Sequence, residues 1–330
     1  MKQELIAAGF FLFSFMLPLR ATAANFSQIY VFGDSLCDTG NMFQLTGGCV
    51  EPKNADSSDT PYFQGRFSNG KLWVEYFASL LGLTYNQATN FAIAGSSSGN
   101  GNSVHPDSPF PGLLAQVRLF GESLAAKDLQ ADSEALYVLC GGSNDYLFGG
   151  VTDVNLPVNH LSTAVKLLKN IGAKSIMVFN LPDLGKIPAK FGTADADKFS
   201  TLAKNHNAAL DCCLTPSGLK RSALSHADLN IILVDIYSLL NKIIAQKSAF
   251  GFTNIQDSFF SVSPTISIAD EYLFYDDFHP TTTAHKLIAE SVLLAIKDQS
   301  CQNSIMLNLL ALAVGTSIRQ RQIKKPAFKQ

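Results

Sequence analysis

Five short apolar runs, separated by amphipathic stretches, constrain this chain more than any other feature. Gln28 to Phe32, Thr89 to Ala92, Ala135 to Leu139, Ser175 to Asn180 and Asn230 to Val234 have the length and composition of buried strands, and turn residues bound them. Lys71 to Leu81, Leu113 to Ala126, Asn159 to Ile171 and Lys198 to Leu214 carry helical periodicity between them. Repeated strand-helix-strand order returns successive strands in one direction through right-handed crossovers. It predicts an α/β fold with a mainly parallel sheet covered by helices on both faces. In such sheets functional groups gather beyond the carboxyl ends of the strands, which directs attention to the residues after each run.

Composition narrows the function classes. Of 330 residues, 47% are hydrophobic and only 16% charged, enough to build a substantial core and too apolar for a disordered polymer. The 25 basic residues nearly balance the 27 acidic ones, so no nucleic-acid partner is expected. Lys2, the apolar run Leu5 to Leu19 and the A-x-A sequence Ala21-Thr22-Ala23 predict a signal peptide over residues 1–23, although Glu4 is out of keeping with the positive start of such a leader. Removal of the leader leaves a domain over 24–300, secreted or held in the periplasm or cell envelope. Nothing from Asn25 to Ser300 is apolar for long enough to span a bilayer.

Beyond that domain, Ile305 to Ile318 is mostly apolar and Arg319, Arg321, Lys324 and Lys325 follow it. The stretch is too short to span. Two readings stand: a helix packed on the body with a solvated basic tail, or a segment lying on a membrane surface. Cys37, Cys49, Cys140, Cys212, Cys213 and Cys301 suit an oxidising compartment but lack the density of a disulfide scaffold and the C-x-x-C pairing of a zinc site. Cys140 ends an apolar run and reads as a small packed hydrophobe.

Candidate chemistry sits at the strand ends. Val31-Phe32-Gly33-Asp34-Ser35-Leu36 places a serine just past the first run, after a glycine that permits a tight turn. Cys140-Gly141-Gly142-Ser143-Asn144-Asp145 follows the third run; its glycines allow close backbone approach, and Asn144 is either an ordinary turn residue or an amide donor for a developing oxyanion. Asp276 and His279 stand in Tyr275-Asp276-Asp277-Phe278-His279-Pro280, with Pro280 suited to the first turn of a helix over Thr281 to Lys297. This spacing lets the Asp276 carboxylate fold back onto Nδ1 of His279 while Nε2 faces a serine. Gly95-Ser96-Ser97-Ser98-Gly99 matches the G-x-S-x-G elbow, but Asn100 to Pro106 cannot begin the helix that an elbow requires. Its useful member is Gly95, whose N–H can point into a cleft. Two long loops, Gln44 to Phe67 and Gly95 to Pro111, are expected to wall that cleft.

Taken in order, Gly33-Asp34-Ser35-Leu36, Asn90-Phe91-Ala92-Ile93-Ala94-Gly95, Gly141-Gly142-Ser143-Asn144-Asp145 and Asp276-x-x-His279 resemble the four blocks of the GDSL lipases, within the SGNH hydrolase superfamily. Asp38-Thr39-Gly40-Asn41 and Gly65-Arg66-Phe67-Ser68-Asn69-Gly70, with Trp73 and Glu75 behind, are similar to the branch holding lipases, phospholipases and lipid acyltransferases. The resemblance spans residues 27–297. It implies a three-layer α/β/α, flavodoxin-like fold with a five-stranded parallel sheet, and a serine esterase acting on acyl esters of lipids; the alternatives are a lipid acyltransferase using the same residues and a non-catalytic lipid- or glycan-binding module on the same fold. Ser35 would be the nucleophile, Asp276 and His279 its partners, and the Ser35 and Gly95 N–H groups with the Asn144 side chain the oxyanion donors. No metal or organic cofactor is implied, and the expected partner is a small-molecule or lipid ester. Cys37 departs from the serine frequent at that position in the family, and the basic tail has no counterpart in the common pattern.

Overall fold

Four of the five apolar runs form one parallel sheet, β1 (Ile29–Gly33), β2 (Leu136–Cys140), β3 (Ser175–Phe179) and β4 (Asn230–Val234), in that spatial order. A computed structural model describes residues 26–50, 62–214, 229–262 and 266–297. The leader over 1–23, the tail 301–330 with its Ile305 to Ile318 segment, and Cys301 lie outside the described residues. β2 is buried along its whole length, which is why its sequence is unbroken by polar residues.

The expected five-stranded sheet is corrected to four regular strands and a partial fifth. Thr89 to Ala92 lies beside β1 but makes only one bridge, Asn90 to Val31. The N–H groups of Phe91 and Ile93 donate to the Val31 and Gly33 carbonyls, so the segment occupies the fifth place. Side chains then take the groups on its outer edge. Asn41 Nδ2, at the start of helix α1 (Asn41–Thr46), donates to the carbonyls of Asn90 and Ala92, and Asp38 Oδ2 accepts the Ala94 N–H. The segment pairs on one side with backbone and on the other with side chains, and its ladder stays short. With it at the edge, the sheet keeps the flavodoxin-like order.

Alternate residues of the strands face opposite layers. Phe32, Tyr137, Leu139, Ile176 and Val178 pack against helices α3 (Leu113–Ala125) and α5 (Asn155–Asn170), with Leu210 and Leu214 of α6 (Ala196–Leu214) closing the layer. On the other face Val31, Val138 and Met177 are fully buried, and Trp73 of α2 (Trp73–Leu80) lies 4.6 Å from the Phe179 ring. The final helix, 282–297, is tied to α2 by the Tyr76 and Thr282 hydroxyls, 2.8 Å apart. A second sheet of two parallel strands, β5 (Asn254–Ser258) and β6 (Tyr272–Phe274), leads into that helix. No helix among the described residues is long and apolar enough to cross a membrane.

Candidate active site

β1 ends at Gly33, where no other residue fits: a Cβ there would come within 2.2 Å of the Cys140 carbonyl oxygen on β2. The chain then turns, with the N–H groups of Cys37 and Asp38 both returning to the Asp34 carbonyl. This turn sets Ser35 beyond the strand end, in the lining of a cavity of about 570 Å³. Behind it, burial pushes the Asp34 carboxyl up to about 6, against the lowering effect of the Leu36 N–H.

The histidine arrives on a closed turn. Phe274 bridges Pro280, and the Tyr275 N–H donates to the His279 carbonyl at 2.8 Å. Within the turn, Asp276 Oδ1 accepts the N–H groups of Phe278 (2.8 Å) and His279 (2.7 Å), while both carboxylate oxygens lie within 2.8 Å of His279 Nδ1. A carboxylate only accepts, so Nδ1 carries a proton, which in the neutral imidazole leaves Nε2 as the acceptor. Ser35 Oγ lies 2.8 Å from Nε2 although 244 residues separate the two. Burial opposes charge on Asp276, but the His279 charge and hydrogen bond, the Tyr62 hydroxyl and the Phe278 N–H outweigh it and hold the carboxyl below its usual range.

Tyr62 is a member of this site that sequence reasoning missed. Its hydroxyl donates to Asp276 Oδ2 at 2.7 Å, and its ring meets Phe67 edge-on. Phe67 in turn covers the imidazole, ring centres 4.7 Å apart. The segment carrying Phe67 is braced at both ends. Arg66 forms a two-pronged ion pair with Glu75 of α2 at 2.8 and 2.9 Å, and both groups are largely buried. Removing one partner of such a pair costs about 3–5 kcal/mol. Ser68 Oγ donates to the Pro280 carbonyl, and Asn69 Oδ1 accepts the Thr282 N–H. The Gly65 to Gly70 segment therefore holds the histidine turn in place.

The remaining candidates meet on the opposite wall. Gly95 has φ +77°, and a Cβ there would lie 2.5 Å from Asn102 Oδ1, so both conformation and space demand glycine. Asn144, in the short helix α4 (Ser143–Leu147), gives one amide hydrogen to the Ser96 carbonyl at 3.0 Å; an amide has a second. Ser35, Gly95 and Asn144 all line the same cavity. Gln116 of α3 joins its two sides: it accepts the Gly33 N–H, donates to the Gly33 carbonyl, and reaches Ser96 Oγ at 3.0 Å. A polar residue on a helix face shared with Leu113, Val117 and Phe120 was the legible sign of that role.

The chain matches a known family. The model of the GDSL-like lipase/acylhydrolases fits residues 29–292, most of the chain. This chain belongs to that family. It is a carboxylic ester hydrolase by that membership. A GDSL esterase/lipase of Arabidopsis thaliana, At5g22810, is 26% identical over 81% of this chain and 88% of its own length. The phosphatidylcholine-sterol acyltransferase of Aeromonas hydrophila is 28% identical over 86% of this chain and 95% of its own. In this GDSL hydrolase Ser97 lies in a loop with its hydroxyl on the Gly101 carbonyl at 2.6 Å, and no helix begins until Leu113. His105 also lines the cavity, its ring edge-on to Phe110. Cys140 is buried, as a small packed hydrophobe would be, and so is Cys37.

Proposed function

We propose that this GDSL hydrolase cleaves acyl esters through an acyl-enzyme on Ser35. The observation that carries the reading is the unbroken hydrogen-bond chain from Ser35 Oγ to His279 to Asp276, with its serine end in the cavity lining. Ser35 attacks the ester carbonyl carbon and its proton passes to His279 Nε2, while Asp276 stabilises the imidazolium. The carbonyl oxygen becomes an oxyanion held by the Ser35 and Gly95 N–H groups and the free amide hydrogen of Asn144. When the carbon–oxygen bond breaks, His279 returns the proton to the leaving alkoxide. Water, deprotonated by His279, then attacks the acyl-enzyme and releases the acid.

We infer lipid esters as substrates because the cavity is walled by apolar side chains, including Met42, Phe67, Val104, Phe148 and Phe260. The likeness to a phosphatidylcholine-sterol acyltransferase favours a second outcome of the same intermediate, in which an alcohol takes the acyl group instead of water. Export is part of the proposal, supported by Leu5 to Leu19 and Ala21-Thr22-Ala23, and surface binding through Ile305 to Ile318 with its basic flank is one of the two readings of the tail. The test is hydrolysis of p-nitrophenyl esters of increasing chain length beside a lysophospholipid. The reading expects rates that rise beyond the acetate and fatty acid released from the lysolipid. Turnover of acetate alone would reject lipid esters.

A further inference from the structure

Asn144 and Asp145 are neighbours on α4, and both grip the loop that carries Gly95. Asn144 does so through the Ser96 carbonyl. Asp145 does so through Ser98, whose N–H donates to Oδ2 at 2.8 Å and whose hydroxyl donates to Oδ1 at 2.7 Å. A hydroxyl has one hydrogen, and here it goes to the carboxylate. The 2.9 Å contact between Ser98 Oγ and His160 Nδ1 must then have the imidazole as donor. The chain runs from His160 Nδ1–H to Ser98 Oγ–H to Asp145 Oδ1.

Its position explains what it does. Beyond Ser98, Gly99 is pressed on the His160 ring, where a Cβ would come within 2.9 Å of Cε1. The loop 95–99 is thus clamped to α4 at two points and to α5 at a third. Neither Ser98 nor His160 lines the cavity, and Ser98 is fully buried, so the cluster is no second hydrolytic centre. Burial raises the Asp145 carboxyl, while the two Ser98 donors and the His160 charge pull it down. Of the proposed oxyanion donors, one sits on this loop and one on α4. Donors stabilise an oxyanion only when their spacing is set before the charge develops.

We propose that Asp145 is a positioning residue for the oxyanion hole, acting through Ser98 and with His160 as its outer donor to hold Gly95 and Asn144 at the spacing the tetrahedral intermediate needs. The proposal rests on the donor assignment made above. Asp145→Asn keeps the side chain's size but sets an amide against a Ser98 donor. It should lower kcat for p-nitrophenyl butyrate about tenfold or more while KM stays within about twofold. Inhibition by a trifluoromethyl ketone, which forms an oxyanion adduct on Ser35, should weaken by the same factor. In an Asn144→Ala background, where the hole is already impaired, the same substitution should cost less than about threefold. Should Asp145→Asn fail to fold, Ser98→Ala removes the bridging hydroxyl alone and carries the same comparison. Unchanged kcat, or an equal cost in both backgrounds, would overturn the clamp. A wild-type chain without ester turnover would instead overturn the reading of the Ser35 site and the clamp with it, so the two failures are distinguishable.

Discussion

Among the described residues two clusters join a serine, a histidine and an aspartate, and they differ in where the serine hydroxyl hydrogen points. In Ser35–His279–Asp276 the histidine gives Nδ1–H to the carboxylate and turns an accepting nitrogen to the serine. In His160–Ser98–Asp145 the serine stands in the middle, gives its proton to the carboxylate and accepts from the histidine. The first serine points its hydroxyl at an imidazole nitrogen; the second points its hydroxyl at a carboxylate and meets an imidazole N–H. Ser35 is 8% exposed and lines the cavity, whereas Ser98 is 0% exposed. The same three residue types thus stand in two different orders, one opening on the cavity and one ending at a serine sealed from solvent.

The largest effects should separate the two clusters. Ser35→Ala and His279→Ala are each expected to lower kcat by on the order of 10⁴-fold or more in steady-state ester hydrolysis, since members of such a chain act as a unit. Ser98→Ala should lose far less, on the order of tenfold, its loss confined to the oxyanion hole. Near-equal losses at Ser35 and Ser98 would break the comparison. Next in size, Asn144→Ala should lose about 10²–10³ in kcat with KM nearly unchanged, the general cost of one oxyanion donor. Tyr62→Phe removes one hydrogen bond to a charged group, worth about 1.5–3 kcal/mol. Because Asp276 keeps its other donors, kcat should fall by about tenfold or less. A Tyr62→Phe enzyme with wild-type kcat would reduce the tyrosine to a wall of the cleft.

The smallest effects lie in the pH dependence of stability, where the two carboxylates differ in sign. Asp276 is held below its ordinary 3.8, so the folded state binds its proton less tightly than the unfolded chain. Its stabilising contribution is full above that value and is lost as pH falls through the depressed one. Asp145 is raised above 3.8, so its charge costs stability at neutral pH and that cost disappears as pH falls from the raised value towards 3.8. Thermal melting should accordingly show Asp145→Asn losing more stability than wild type between neutrality and pH 3.8. Asp276→Asn should lose less than wild type below 3.8. Parallel melting curves for all three proteins would remove the distinction.

The sequence carried the sheet well where burial alone decides. β2, β3 and β4 fall within one residue of their apolar runs; β2 and β3 are buried on both faces and must be apolar, and the partly buried β4 is apolar after Asn230. Thr89 to Ala92 reads as an equal strand in the sequence because the capture of its carbonyls by the Asn41 side chain leaves no trace in hydrophobicity. β5 was missed because Asn254-Ile255-Gln256-Asp257-Ser258 is polar and half exposed, and β6 because it has three residues. Helix Ile236–Ala245 did offer a signal, Asp235 at its start, whose side chain accepts the Ser238 N–H. In the site, Asp276 and His279 were legible since their geometry is local. Tyr62 and Ser98 were not, since a tyrosine in a polar loop or a serine among serines becomes informative only when the fold shows which carboxylate it meets.

The central proposal is that Ser35, and neither Ser97 nor Ser98, is the activated serine. The most direct test is peptide mapping by mass spectrometry after reaction of the folded protein with a fluorophosphonate. The account predicts a single phosphonylated peptide containing Ser35, absent in Ser35→Ala and still present in Ser97→Ala and Ser98→Ala. Modification at Ser97 or Ser98, or labelling that survives Ser35→Ala, would contradict it.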